Sequence, residues 1–568
     1  MVRKYVVSPY GGRRAHPGIA SALAAAAQRG GAARIEIAPG RYEETLTVRG
    51  EVELVAAGDP GSVVVGPLSG AVLDALGAVR VHGLVFTGRD ADVVSCRAGA
   101  LTLERCEIQA HNGVSVHAGP NTSVTLLDST VLHGRTLFRG SHGLVERCRF
   151  TDATDNAIAA IEGARISVRD SRIDGSMIHG IRVSGARAQV TGCELTRTGQ
   201  AAIVADTQAE LTVTGCVISA VHEDAIMFSE QSRGSVDSTH VVDAQHGIVV
   251  VSGADPVVRG CVLTRCRDTG INVHSAGRGR FEECEVVDAG NVAVFSTRGG
   301  APEVHGCRIS RGKVGIAVTE AARGRFTRIE VRDLVGTALR VLDGSRAEFE
   351  NVLVERCPSG LEAQGGAGTT VEVTGARFSG FDMAAATASG QAWMKLTRVA
   401  AEHGAVAFCA AEEAQLLVHD CDAKAVSTGG AVAVGRARLV ARNLTVTGSE
   451  GLGLCGAGSA YLDVTDATFT DCASAGAALA DECTGRLVNC SVEGTRGVAV
   501  VHNDRFDLTR LRTELRIVRK VTEPAGTAPT TVNHYHGPVF NAVSHGVQLA
   551  WNNSRSIQQQ TNKEGPPP

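Results

Sequence analysis

The chain has 568 residues, 56 Lys and Arg against 60 Asp and Glu, a formal net charge of −4, 67 glycines and 4% aromatic residues. Charge this balanced, with no basic stripe interleaved with aromatics, excludes the electrostatic footprint of a nucleic-acid binder. So few large rings exclude a core built on aromatics, and no apolar run reaches membrane-spanning length.

The first 18 residues hold no apolar core followed by a cleavage site, so a cytoplasmic location with no membrane contact is expected. Residues 17–29, PGIASALAAAAQR, place Ile19, Leu23 and Ala26 on one face among strong helix formers, which predicts a helix that lies across the first strands of the chain. From Arg34 to Val48 apolar and polar residues alternate around a Pro-Gly turn, as in strands.

From Val81 to about Val492 one phrase recurs every 22 or 23 residues: an apolar residue, two mostly polar ones, a small residue that is often Cys, one more, then Val, Ile or Leu. Copies include LERCEI (103–108), VRDSRI (168–173), VTGCEL (190–195), VTGCVI (213–218), VRGCVL (258–263) and LVNCSV (487–492). The fourth position holds only small or aliphatic residues, among them Cys106, Ser129, Cys148, Ser171, Cys193, Cys216, Thr239, Cys261, Cys421 and Cys490. Half a period later a small residue precedes an apolar run, as at Gly180-Ile181, Ala202-Ile203, Ala225-Ile226 and Gly247-Ile248. The period is too short for tetratricopeptide or ankyrin units, and the spacing is not helical. The fold expected is all-β: a parallel β-helix solenoid of about 19 or 20 rungs with two inward strands per rung, capped by the helix. Nine of the sixteen cysteines fall in the fourth-position column, and no C-x-x-C pair occurs. They read as a ladder of small buried hydrophobes, reduced in the cytosol, rather than as disulfides or metal ligands.

Equivalent turns of such a coil stack, so an active site would be a polar line across rungs. Just before the small-residue column the turns read Asp155-Asn156, Ile178-His179, Gln200-Ala201, Glu223-Asp224, Gln245-His246 and Asp268-Thr269. Stacking would put Asp224 and Asp268 on either side of His246, and a carboxylate beside an imidazole fixes its tautomer and raises its pKa. The candidate acid–base set is therefore Glu223, Asp224, His246 and Asp268, with Asp155, Asn156 and His179 as candidate binding residues. Polar residues also occupy such turns simply to satisfy backbone groups. No two histidines sit on successive rungs of the line, so no metal and no cofactor are expected. Between Pro60 and Leu508 there is one Trp, Trp393, and one Tyr, Tyr461, which leaves few platforms for sugar rings. Phe138, Phe150, Phe281, Phe326, Phe349 and Phe378 fall on inward positions and are expected in the core.

The predicted organisation is a cap over 1–30, the coil over 31–505, a C-terminal cap over 506–521, a Pro- and Thr-rich linker over 522–533 and a tail over 534–568. Asp507 can N-cap a helix through Leu508, Leu511, Leu515 and Val518, but RLRTELRIV also alternates as a strand does. The tail is nearly uncharged and rich in Gly, Asn and Gln, a composition that suits either a flexible end or cross-β stacking.

The opening block, IASALAAAA, RIEIA and PGRYEE (Pro39 to Glu44), together with the VxGC rungs, resembles pectinesterase-like and pectate-lyase-like right-handed β-helix proteins over residues 15–505. That resemblance implies a right-handed coil but no single activity. The Gln-Asp-Thr-Leu and Asp-Phe-Ile-Phe-Gly segments of pectinesterases are absent, as are the paired Asp and Gly-His-Gly of polygalacturonases. The Asp-Pro-His-Asp of alginate epimerases is also missing, since no His follows Asp255-Pro256. The tail segment around Gly537, Pro538, Val539, Phe540, Gly546, Val547, Gln548, Trp551, Asn552 and Asn553 resembles short actinobacterial motifs that join signalling and defence proteins by amyloid-like contact. Similar coils are fused to AAA-type ATPases, but Gly312-Lys313 is no phosphate loop.

These features leave two functions open. In the first, the chain is a non-enzymatic recognition scaffold coupled to protein partners, or to itself, through its tail. In the second, it is a carbohydrate-active enzyme of lyase or epimerase type that uses the polar turn line on a glycan.

Overall fold

A computed structural model describes residues 2–10, 15–111, 113–513, 515 and 517–519. The predicted linker and tail, with the tail motif from Gly537 to Asn553, lie outside the described residues. The chain forms a right-handed parallel β-solenoid of about 21 turns with one short helix near its N-terminus. Its described residues divide into two units, those up to 290 with 300–303, and those of 291–299 with the ones from 304 onward.

In the first unit, Arg3–Val7 pairs parallel with Ala33–Ile37, which pairs with Leu46–Ala56, then Leu73–His82, then Val94–Glu104. From there the same register runs turn after turn. Leu126, Val145, Val168, Val190, Val213, Val236 and Val258 stand in one inward column, each fully buried. Burial of each such side chain contributes roughly 1.5–3 kcal/mol. A second column runs Val131, Phe150, Ile173, Leu195, Ile218, Val241 and Leu263, and a third Ile158, Ile181, Ile203, Ile226, Ile248 and Ile271.

Each turn therefore has three strands, not the two read from the sequence. The repeated phrase straddles a corner: in VTGCEL, Val190 and Thr191 close one strand, Leu195 lies in the next, and Gly192 between them has φ +63°. Glycine takes that left-handed conformation without steric cost. The Cys that comes next is turned inward, and its thiol donates to the carbonyls of Thr191 (3.4 Å) and Val168 (3.6 Å). Where Ser replaces Cys, the hydroxyl does similar work. Ser171 Oγ accepts from the Cys148 N–H at 3.0 Å and donates to the Arg169 carbonyl at 2.7 Å. The column thus supplies small polarisable groups to corner backbone as well as filling space. All sixteen cysteines are buried and none is in a disulfide. Burial pushes the Cys106 and Cys148 thiols up to about 11, far from nucleophilic use at neutral pH.

The helix spans Ile19–Arg29 and buries Ile19, Ala22, Leu23 and Ala26. Its N-terminal N–H groups are met by Glu44, whose carboxylate accepts from Ile19 at 3.0 Å and Ala20 at 2.7 Å. An anion at a helix N-terminus is favoured by the helix dipole.

The second unit keeps the same plan. Phe326, Phe349, Val373, Leu396, Val418, Ala441, Val464 and Leu487 form one inward column, with the Phe326 and Phe349 rings stacked at 5.0 Å. All six phenylalanines assigned to the core are buried. At its C-terminal end Asp507 lies inside the strand Phe506–Thr509, and Ile517–Arg519 pairs with Val500–His502. Strand pairing rather than helix is seen at both ends of this segment, where Leu508 follows the register of Leu487 and Ile517, 45% exposed, that of Val500, with an isolated bridge from Arg512 to Ser491 between them.

Candidate functional site

The polar turn line lies entirely in the first unit, immediately before or at the start of the third strand of each turn. Register places Asp224 beside His246 and His246 beside Thr269. The stacking expected from the sequence is present, but the contacts differ. The His246 ring turns toward the next turn, with Nδ1 2.7 Å from Thr269 Oγ1 and 3.9 Å from Asp268 Oδ2. No hydrogen bond or ion pair joins His246 to Asp224 among the described residues.

The electrostatics reverse the expectation for the imidazole. Burial lowers the His246 pKa, an effect that Arg267 reinforces and that Asp268 and Glu223 only partly oppose. Its charged form loses more in water than the carboxylates return. Asp224 moves the other way. Burial, with a smaller push from Glu223, raises its carboxyl to about 6. The site thus pairs a carboxyl that exchanges its proton near neutrality with an adjacent neutral imidazole whose Nδ1 is held by a buried hydroxyl. A group with a pKa near the working pH is suited to general acid or base work. Glu223 is exposed at the rim, and Asp268 is half-buried.

The candidate binding residues divide. Asp155 is taken up by Arg135 at 2.6 Å and by the Asn156 amide at 2.8 Å. Asn156, 6% exposed, has no partner for its Oδ1 among the described residues. His179 accepts the Ala201 N–H on Nδ1 at 3.1 Å, and burial lowers its pKa, so it serves the neighbouring turn's backbone.

Sequence reading missed two groups beside this line. The Arg267 guanidinium donates to the carbonyls of Val221 (3.0 Å), His222 (2.6 Å) and Asp243 (3.2 Å), two turns away at the furthest. Aligning the residue before each Asp268-like position would have found it. His117 Nδ1 lies 2.8 Å from Asp92 Oδ2, and that contact holds the Asp92 carboxyl below its usual range. These two stand 25 residues apart, at positions that the repeat phrase does not include. Among the described residues no group of three or more His, Cys, Asp or Glu is placed to hold a metal ion.

The family profile described as "Right handed beta helix region" matches residues 73–195, 137–279 and 246–397, more than half of the chain. The chain belongs to the right-handed β-helix family. No curated protein matches it. Among solved structures it is similar to a mutant of the PL6 family alginate lyase AlyGC, with 10% identity, 93% of this chain and 99% of that one covered, and a TM-score of 0.27. It is also similar to the bacteriophage phi29 gene product 12 N-terminal fragment (11%, 87% and 92%, TM-score 0.30). A third is the periplasmic alginate epimerase AlgG (6%, 64% and 78%, TM-score 0.22). These scores are too low to bear on activity or substrate.

Proposed function

We propose that the chain is a carbohydrate-active protein whose turn line performs acid–base chemistry on a glycan. The observation that carries this reading is the pairing of Asp224, raised to about 6 by burial, with a half-buried neutral His246 on the next turn. Asp224 takes or gives the proton at the reacting carbon or the leaving oxygen. His246, held through Nδ1 by Thr269, presents its other nitrogen as the partner. Incubation with a panel of neutral and acidic polysaccharides, with analysis of the products, tests it. Turnover lost in both Asp224→Asn and His246→Gln supports the reading, and no turnover on any glycan by the wild-type chain sinks it.

A second reading, a non-enzymatic recognition scaffold, is favoured by the outer surface. Ion pairs tile it from turn to turn, as between Arg259 and Glu282 at 2.7 Å and between Arg356 and Asp333 at 2.6 Å. Trp393 is half-buried, and the Arg438 guanidinium lies over the Tyr461 ring at 5.1 Å, which leaves few stacking platforms. In this reading residues 534–568 couple the coil to partners or to another copy. Sedimentation and thioflavin fluorescence of the full chain against a truncation ending at Thr522 separate the two. Assembly by the full chain alone supports the tail's role.

A further inference from the structure

The third strand of each turn in the second unit is apolar on both faces. Phe408, Ala431, Leu454, Ala477 and Val500 stack in one column that fills the coil interior. The next residue along each strand points to the opposite side. These are Cys409, Val432, Cys455, Ala478 and Val501, and Val501 pairs in turn with Val518 in the last described strand. Leu452, Ala475 and Val498 stand beside them in the same register. An outward apolar stripe thus crosses successive strands for about 24 Å, at ~4.8 Å per step, and reaches the end of the described chain.

This face is shielded where it should meet water. Val432 and Leu452 are each 1% exposed, and with Cys409, Cys455, Ala475 and Ala478 they form one packed cluster. Burial pushes the Cys409 and Cys455 thiols up to about 12, as far as it moves the Cys266 thiol. In the first unit the same outward column reads Arg182, Val204, Met227, Val249 and Asn272, so longer side chains flank each valine and cover it. No such side chain stands between Cys409, Val432, Cys455 and Ala478. Among the described residues the strands that carry the stripe pack on those of adjacent turns, and no further helix or strand packs over them. An outward leucine at 1% exposure needs a cover, and the one long stretch of chain outside the described residues is 520–568.

We propose that residues 534–553 of the same chain dock on this stripe. Position, reach and chemistry agree. Val518, one residue from the end of the described chain, is itself the last member of the stripe. Residues 520–533 can reach at most ~46 Å at ~3.3 Å each, so the segment that follows can fold back over the full ~24 Å. Between His534 and Asn553 there is no Asp, Glu, Lys or Arg, while Tyr535, Val539, Phe540, Val547, Leu549 and Trp551 offer apolar side chains. Such a segment covers an apolar face without burying an unpaired charge. The docking shields the stripe whether or not the tail also couples the coil to a partner, and it requires no turnover at Asp224 and His246.

Labelling of the native full chain with a small maleimide, followed by peptide mapping, tests it, because Cys409 and Cys455 report on the stripe and Cys261 and Cys284 on the coil interior. In the wild-type chain all four are expected to label slowly. Phe540→Asp together with Trp551→Asp, in the full chain, is expected to speed labelling of Cys409 and Cys455 at least about 10-fold with Cys261 and Cys284 unchanged, since a thiol reacts according to its exposure and pKa. Protection of the two stripe thiols that does not depend on protein concentration, and is lost in the double variant, supports the proposal. Rapid labelling of the stripe in the wild-type chain, labelling unaltered by the two substitutions, or an equal gain at Cys261 and Cys284 overturns it. Protection that fades on dilution assigns the stripe to a second copy and overturns it as well.

Discussion

Two carboxylates, buried Asp463 in the second unit and half-buried Asp224 in the first, receive opposite treatment. Asp463 in the second unit is 6% exposed and clamped by two arginines from neighbouring turns, Arg442 (3.0 Å) and Arg486 (2.9 Å). Hydrogen bonds from these guanidiniums hold its carboxyl far below the usual range, against the cost of burial. Asp224 in the first unit has no cation bound to it among the described residues and is raised to about 6. The same coil can evidently supply a partner from an adjacent turn, so a carboxyl left without one near neutrality marks a place where proton exchange is retained at a cost in stability.

Ways to break this contrast run from large effects to small. Asp224→Asn is expected to lower turnover on the responsive glycan by about 10²–10⁴, the usual contribution of a positioned acid or base. Initial rates measure it, and a rate within a few-fold of wild type would remove Asp224 from the chemistry. Asp463→Ala is expected to cost about 1–3 kcal/mol at pH 7, because it removes charge-assisted hydrogen bonds to two arginines that solvent partly screens. Urea unfolding of the variant checks this. The wild-type contribution of Asp463 is present above the unfolded pKa near 3.8 and is lost only as pH falls well below it.

Asp224 has the reverse sign. Its folded pKa lies above its unfolded one, so the folded state holds the extra proton between about pH 4 and 6 and stability falls as pH rises through that window. Asp224→Asn should therefore stabilise the chain by roughly 1–3 kcal/mol at pH 7 and hardly at all at pH 4. Thermal midpoints at the two pH values give the comparison, and equal shifts at both would contradict the burial argument. The smallest effect is expected for Cys193→Ser, within about 1 kcal/mol by urea unfolding, since Ser171 already fills the equivalent corner one turn earlier.

The coil was legible because its physics is local and repeated. An inward Val every 22 or 23 residues, a small residue at each corner and polar turns leave a periodic trace, and the phenylalanines fell where alternation put them. The third strand was hidden because one phrase covers both sides of a corner, as Val190, Gly192 and Leu195 show. The site was legible as a list of positions and not as chemistry. Register brought Asp224, His246 and Thr269 together as stacking required. Which way the imidazole turned, and whether burial or a neighbouring carboxylate decided its charge, depended on three-dimensional depth. Arg267 reaches acceptors up to 46 residues away in sequence, beyond any motif.

The opening of the chain bears on aggregation. The first strand, Arg3–Val7, meets Ala33–Ile37 along one edge, while Val6 and Val7 also pair with Ala15 and His16. The helix pinned by Glu44 packs against the same strands. A bare strand edge would invite a second copy to continue the sheet, the usual route to edge-to-edge polymers. Here an incoming strand would first have to peel away Ala15 and His16 and dislodge the helix. Glu44, through two hydrogen bonds, thus helps to guard against fibril growth from this edge, and its loss would show as turbidity before it showed as unfolding.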